Sequence, residues 1–473
     1  MKGPRSLSRQ ISERLGQDRQ TEEDARDSFY ALAERLQAEA RPDETLFSEL
    51  TAERSDFARL NQNRIRQAGQ IRHASLQLRL IDGNRQAEAA CDLSGDLAHD
   101  FELARGLLRQ LRLRLRHLPD DPYLHVSDEP TRSDRWPEVP EVDAAAAVAD
   151  IIAAGAVAGA GAGAGLDLVG IWASGEVTAG LASSLGHRHW HVSRNFHFDW
   201  SCHGDGDQSV KGSLGGLRWD AAPVRARLDA MRAELDILAR PPKVLAPGRY
   251  RAWLAPMAVS ELTDMLAWDG FDLKSQRTRQ TPLLRLLDGE EQFDPRVSLR
   301  EVHGPAGTGL LPAFTSEGFM RPDSVTLIDR GAAGSPLVDA RAGKEYGLAV
   351  NAASGYPESL AMEPGDLAPE QVLEALGTGL FIGNLWYCNW SDPNYCRVTG
   401  MTRFGTYWVE DGVIVAPVAP MRFDDSLYRL LGERLVAIGA EAQLLLSAQT
   451  YGGRSLESAR LPGLLVAGMD FAL

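Results

Sequence analysis

The sequence predicts an α+β protein, with an N-terminal α/β layer domain over residues 1–240 and a mainly antiparallel β domain over residues 241–473. Three observations lead there. Separate early segments carry apolar residues at helical spacing, and between them polar and apolar residues alternate as in half-buried strands. Pro241-Pro242 then ends the last early helix abruptly, because proline lacks a backbone N–H and its ring clashes with the preceding turn. Beyond Lys243 the chain becomes short strand-like runs separated by Gly and Asp turns. At 473 residues it also exceeds the roughly 250 that one hydrophobic core organises.

In chain order, Phe29, Leu32 and Leu36 recur at helical spacing within 7–40, and Pro42 marks a break. Residues 57–90 read as an antiparallel ribbon, with Leu76, Leu78 and Leu80 on one face and a hairpin turn at Asp82-Gly83. Ala104, Leu108, Leu111, Leu115 and Leu118 predict a helix over 101–118. The stretch 122–140, rich in Pro, Asp and Arg, reads as a surface loop. An Ala-rich helix follows, then strands within 166–219 and a helix over 222–240 with Val224, Leu228, Met231 and Leu235 on one face. Strands are expected over 324–329, 379–390, 403–410 and 413–418, the last two joined by Glu410-Asp411-Gly412. Two helices interrupt them, one with Pro369 in its first turn and one over 426–438 capped by Asp424 or Asp425.

Composition narrows the function. Hydrophobic residues are 44% and charged residues 24% of the chain, as in globular proteins, and the net charge is −15. An acidic surface opposes phosphate-backbone binding, so nucleic acid is not an expected partner. Cys91, Cys202, Cys388 and Cys396 are too few to staple this length, which fits a reducing, cytoplasmic location. Arg5, Arg9, Glu13 and Arg14 interrupt any signal-peptide core, and the low-polarity run 144–165 is Ala and Gly with Asp150 inside it, so no membrane contact is expected.

None of the ten histidines precedes a glutamate, so no helix here carries the paired-His zinc motif with its Glu base. Half of the histidines fall within 187–203. On a strand His187, His189 and His191 share a face, which is either a polar surface at a cavity or subunit contact, or a site for a divalent metal. The glycines at 159, 161, 163 and 165 imitate a phosphate loop but follow a helix instead of a strand, so they read as a connector. Gly spacing around Ser174 does not make a nucleophile elbow. Cys388 and Cys396, with aromatic neighbours, read as packed thiols. Trp386, Tyr387, Asn389, Trp390 and Tyr395 concentrate aromatic and amide side chains where aromatics are only 7% of the chain, a pattern suited to a peptide groove or subunit interface, or to a sheet core.

The runs Ser324-Val-Thr-Leu-Ile-Asp-Arg-Gly, Gly379-Leu-Phe-Ile-Gly-Asn, Arg397-Val-Thr-Gly-Met-Thr-Arg-Phe, Arg422-Phe-Asp-Asp and Ser458-Ala-Arg-Leu-Pro-Gly resemble the TldD/PmbA (TldD/TldE) family of metallopeptidases. Ser55-Asp-Phe-Ala-Arg-Leu-Asn and Arg64-Ile-Arg-Gln-Ala-Gly look like the same family's ribbon. In that family a TldD-type subunit holds zinc on a His-Glu-x-x-x-His helix plus a later Cys, and a TldE-type subunit is its partner. Anchoring on Asp269-Gly270-Phe271 places Ser260 and Met265 at the histidine positions, with Glu261 retained, and Thr450-Tyr451-Gly452 puts Tyr451 where the thiolate would be. A hydroxyl, a thioether and a phenol do not replace two imidazoles and a thiolate on zinc.

The resemblance therefore implies a non-catalytic TldE-type subunit without metal or cofactor of its own, inactive alone. Its expected partners are a zinc-bearing TldD-type subunit and short unfolded peptides. Two alternatives stand beside it: a peptidase or peptide-modifying enzyme with its metal relocated to His187, His189 and His191, and a homodimeric peptide-binding scaffold.

Overall fold

The structure, a computed structural model, describes residues 7–157, 166–204, 208–303 and 310–472, with 7–22 described as backbone path alone. The glycine connector at 159–165 lies outside the described residues. Helix α1 (Leu7–Ala38) buries Phe29, Leu32, Ala33 and Leu36, the stripe that helical spacing requires. A meander follows: β1 (Glu44–Asn61), β2 (Arg64–Asp82) and β3 (Arg85–Asp92). The ribbon thus begins well before Phe57, at Glu44. Its first turn places Gln62 and Asn63 at positive φ, as a tight hairpin demands. Helix α2 (Leu97–Leu115) starts at Asp96, whose carboxylate accepts from the N–H groups of Ala98 and His99. Its buried Ala104, Leu108, Leu111 and Leu115 join α1 and the ribbon in one hydrophobic cluster.

Next come β4 (Arg132–Arg135), α3 (Ala144–Val157), β5 (Asp167–Ser183), β6 (Arg188–His203), β7 (Ser209–Gly216) and α4 (Ala221–Leu238). β4 lies inside the stretch expected to be loop, and pairs parallel with β6 at its histidine end. The sheet runs β3-β2-β1-β5-β6-β4, with β7 also on β6. Helices α3 and α4 cover the Trp172, Phe198 and Trp200 end of this sheet. Tyr407, from the C-terminal part of the chain, is buried in the same cluster, so the two layers share core.

The C-terminal part opens with β8 (Gly248–Leu254) and α5 (Pro256–Ala267). β8 pairs with Gly379–Ile382 on one side and with the last strand, Ser458–Phe471, on the other. That last strand also pairs with Ser359–Met362 and Leu435–Leu446, inside a 13-stranded, mostly antiparallel sheet. Asp411 and Gly412 both have positive φ, closing the expected hairpin between Thr406–Glu410 and Val413–Pro417.

Two sequence expectations fail here. The helix over 426–438 is a single turn, Leu427–Leu430, and the chain runs on as the strand Leu435–Leu446. A Cβ at Gly432 would stand 2.2 Å from the Tyr428 carbonyl oxygen. Neither Asp424 nor Asp425 caps the turn; Asp424 binds Arg397, and Asp425 binds Arg434 at 2.8 Å. Sheet pairing and this buried ion pair override the helical period. The expected strand 379–390 is also two strands, Gly379–Ile382 and Leu385–Asp392, which pair with different partners. The break falls at Gly383, whose N–H donates to the Gly405 carbonyl at 3.0 Å.

Arg434 is 6% and Asp425 1% exposed. Arg434→Met should lower the unfolding free energy in urea titration by about 3–5 kcal/mol, because it strands the Asp425 carboxylate in the interior. A loss below about 1 kcal/mol, the range of an exposed pair, would contradict this role.

Candidate functional site

Helix α5 is where the resemblance places the catalytic machinery. Pro256 presets its first turn, and Ala258, Val259, Leu262, Met265 and Leu266 bury one face. Ser260, Glu261 and Asp264 occupy the other. Ser260 and Asp264 line a pocket of about 300 Å³ that Tyr356, Glu358, Gln449 and Glu457 complete. The Ser260 hydroxyl donates back to the Met257 carbonyl at 2.9 Å. Glu261 is half-buried, and burial holds its carboxyl above the ordinary range while Lys211 draws it down. Asp264 opens to water on one side but is crowded by protein on the others. That burial, with the Glu261 and Glu457 carboxylates adding, pushes its carboxyl up to about 6. Sequence reasoning missed Asp264, although it lies one turn after Ser260 on the same face.

The three positions matched to zinc ligands do not meet. Met265 packs in the hydrophobic core, whereas Ser260 lines the pocket. Tyr451 is 99% exposed. A hydroxyl bonded to its own helix, a thioether in the core and a phenol in solvent do not fit zinc. Among the described residues, no group of three or more His, Cys, Asp and Glu is placed to hold a metal ion. All four cysteines are free, Cys396 buried and Cys388 half-buried.

His187, His189 and His191 do share a face of β6, but it is not open to a cavity or to a second subunit. All three are buried, enclosed by the segment 310–319. His189 stacks on Phe314 at 4.7 Å, and its Nδ1 and Nε2 lie 2.8 and 3.0 Å from the Ser133 and Thr131 hydroxyls. Both of its nitrogens are therefore engaged. His187 Nδ1 meets the Ser183 hydroxyl at 2.6 Å, and His191 Nε2 donates to the Leu310 carbonyl at 2.7 Å. This row bonds the two layers of the protein together. Burial pulls His189, His191 and nearby His197 down to about 4.

The aromatic strand Leu385–Asp392 pairs with Arg397–Thr402, and among the described residues its other edge is open. Tyr387 has φ of 58° at a register shift between Trp386 and Asn389, a bulge that turns its ring outward to 75% exposure. Trp386 is 37% and Tyr395 54% exposed, each beneath a guanidinium, from Arg403 and Arg285 respectively. Asn389 is exposed, its side-chain oxygen accepting the Trp390 N–H. Trp390 instead packs on the core.

Residues 247–473 match the PmbA/TldA metallopeptidase C-terminal domain. The whole chain is similar in fold to TldE from Thermococcus kodakarensis, with a TM-score of 0.73 at 14% identity, covering 94% of this chain and 100% of that one. A candidate modulator of a DNA gyrase from Thermotoga maritima gives the same values. A candidate modulator of DNA gyrase from Bacteroides thetaiotaomicron has a TM-score of 0.70 at 18% identity, covering 94% and 98% of the two chains. No match to a curated protein was found. The family match is confined to the C-terminal domain, while the likeness in fold extends over nearly the whole chain.

The buried imidazoles make a pH prediction. In the unfolded chain they take up protons near 6.5, whereas folded His189, His191 and His197 resist until about 4. Their stabilising contribution is full above 6.5 and is lost as the pH falls from there toward 4. Asp264, whose carboxyl is raised, works in the opposite direction. Comparing His189→Gln with the parent isolates one imidazole: the variant's melting temperature should fall less steeply across that window. Parallel curves would contradict the assignment.

Proposed function

We propose that this chain is a non-catalytic TldE-type subunit that pairs with a TldD-type zinc peptidase and helps to enclose short unfolded peptides for maturation or degradation in the cytoplasm. The zinc belongs to the partner. The observation that carries this reading is the dispersal of Ser260, Met265 and Tyr451 into a pocket wall, the core and open solvent. Fold similarity to a protein named TldE adds support. No helix among the described residues is long and apolar enough to cross a membrane. The open edge bearing Trp386, Tyr387, Asn389 and Tyr395 is the contact surface we assign to the partner or the peptide, since exposed rings supply large area at low entropy cost.

Co-expression with a TldD-type subunit that carries the His-Glu-x-x-x-His helix tests the reading. The two chains should co-purify, and only the complex should hydrolyse an unstructured peptide. A chain that hydrolyses the peptide alone, or that forms homodimers and ignores the zinc subunit, would overturn it. Replacing Trp386 and Tyr387 together by Ala should leave the circular dichroism of the chain unchanged and weaken pairing or peptide turnover about tenfold or more. Unaltered pairing and turnover would remove this strand from the contact surface.

A further inference from the structure

A second cavity, of about 400 Å³, lies at the N-terminus of α5, between the two sheets. Sites of small ligands favour such domain junctions, and this volume sits near the lower end of their range of about 300–1,000 Å³. Trp200, Leu214, Met257, Phe381 and Phe404 give it apolar walls. Its polar groups are few and mostly of one character.

The first is the N-terminus of α5, a helix of 12 residues. Its N-cap residue, Ala255, offers no side-chain acceptor, and Pro256 has no N–H. The cavity-lining Met257 therefore presents its N–H at the positive end of the helix without a side-chain cap. The second is Lys211, whose ammonium lies 4.4 Å from the centre of the Phe404 ring and forms no ion pair with a described residue. The third is Asn384, which lines the cavity, is only 6% exposed, and whose amide bonds to no described residue. An amide in a cavity wall leaves its hydrogen bonds to whatever fills that cavity. The cavity's one carboxylate, Glu234, is already committed to Arg227 and the Tyr407 hydroxyl. Asp199 and Glu261 feel the Lys211 charge from outside the cavity.

Apolar walls, one unpaired cation, an uncapped helix N-terminus and an amide facing the cavity describe a ligand with an apolar body and one anionic end. We propose that this cavity binds the α-carboxylate of an apolar residue, borne either by the C-terminus of a peptide or by a single acylated amino acid. Lys211 and the Met257 N–H take the carboxylate, Asn384 completes its hydrogen bonds, and the side chain rests among Trp200, Phe381 and Phe404. The inference does not depend on the subunit reading, because it concerns the chain by itself.

The test uses the full-length chain, with calorimetry and tryptophan emission as readouts. The probes are N-acetyl-L-leucine, the tripeptide Ala-Ala-Leu, and the same tripeptide amidated at its C-terminus. At least one free acid should bind, and the amide should bind about tenfold more weakly or worse, the loss expected for a charge-assisted hydrogen bond. Binding of the tripeptide acid alone assigns the site to peptide ends; equal binding of N-acetyl-L-leucine assigns it to single residues, and either result supports the carboxylate. Lys211→Met should weaken the acid by a similar factor and leave the amide unchanged, and Asn384→Leu should weaken the acid also. Equal binding of acid and amide, or no binding of either acid, would overturn the proposal without requiring any variant to fold.

Discussion

The last strand, Ser458–Phe471, is the constraint on which the C-terminal half depends. It pairs with β8, Leu435–Leu446 and Ser359–Met362, and touches Phe423 through Phe471. Elements far apart in sequence are thereby fixed by a single ladder of backbone hydrogen bonds. Close approach is part of the arrangement: a Cβ at Gly463 would fall 2.2 Å from the Trp253 ring on β8. Helix α5 leaves β8 after one residue and packs back on this strand. The segment entering the strand crosses to the first sheet, where Arg454 is buried, binds Asn195 Oδ1 at 2.5 Å, and donates its backbone N–H to the Glu53 carboxylate. Burial pulls the Arg454 guanidinium down to about 10.

Helix α5 consequently separates two unlike environments. On one flank, burial raises the Asp264, Glu261 and Glu457 carboxyls, and the Glu261 and Glu457 carboxylates add to the rise at Asp264. At its N-terminus, Lys211, Asn384 and the uncapped first turn form a cavity of the opposite character. A peptide carries an ammonium at one end and a carboxylate at the other, and the helix offers a complementary group to each. The helix thus carries both polarities but not the donor atoms that a zinc site needs.

Long, strongly periodic elements were legible in the sequence because one face of each is buried: the stripe of α1, the Leu76, Leu78 and Leu80 face of β2, and the Asp411-Gly412 hairpin all follow from local patterning. Elements decided by distant contacts were not. The strand Leu435–Leu446 looks helical until the last strand and the Asp425–Arg434 pair are present. The break at Gly383, which leaves Asn384 in the cavity wall, is set by Gly405, a contact that no local pattern announces. At the candidate site, the unsuitability of Ser260, Met265 and Tyr451 as zinc ligands could be read from residue types alone. That Met265 points into the core, that Asp264 takes a place beside Ser260, and that the histidine row is sealed by the segment 310–319 required the fold. The histidines show the limit most plainly, since three imidazoles on one strand face are the same pattern whether water, metal or protein lies opposite.

Elemental analysis of the chain purified alone, and again in complex with a TldD-type subunit, tests the central claim most directly. The account predicts no zinc above background after dialysis of the isolated chain, and about one zinc per heterodimer, in keeping with a single three-ligand catalytic site. About one zinc retained by each isolated chain would contradict it.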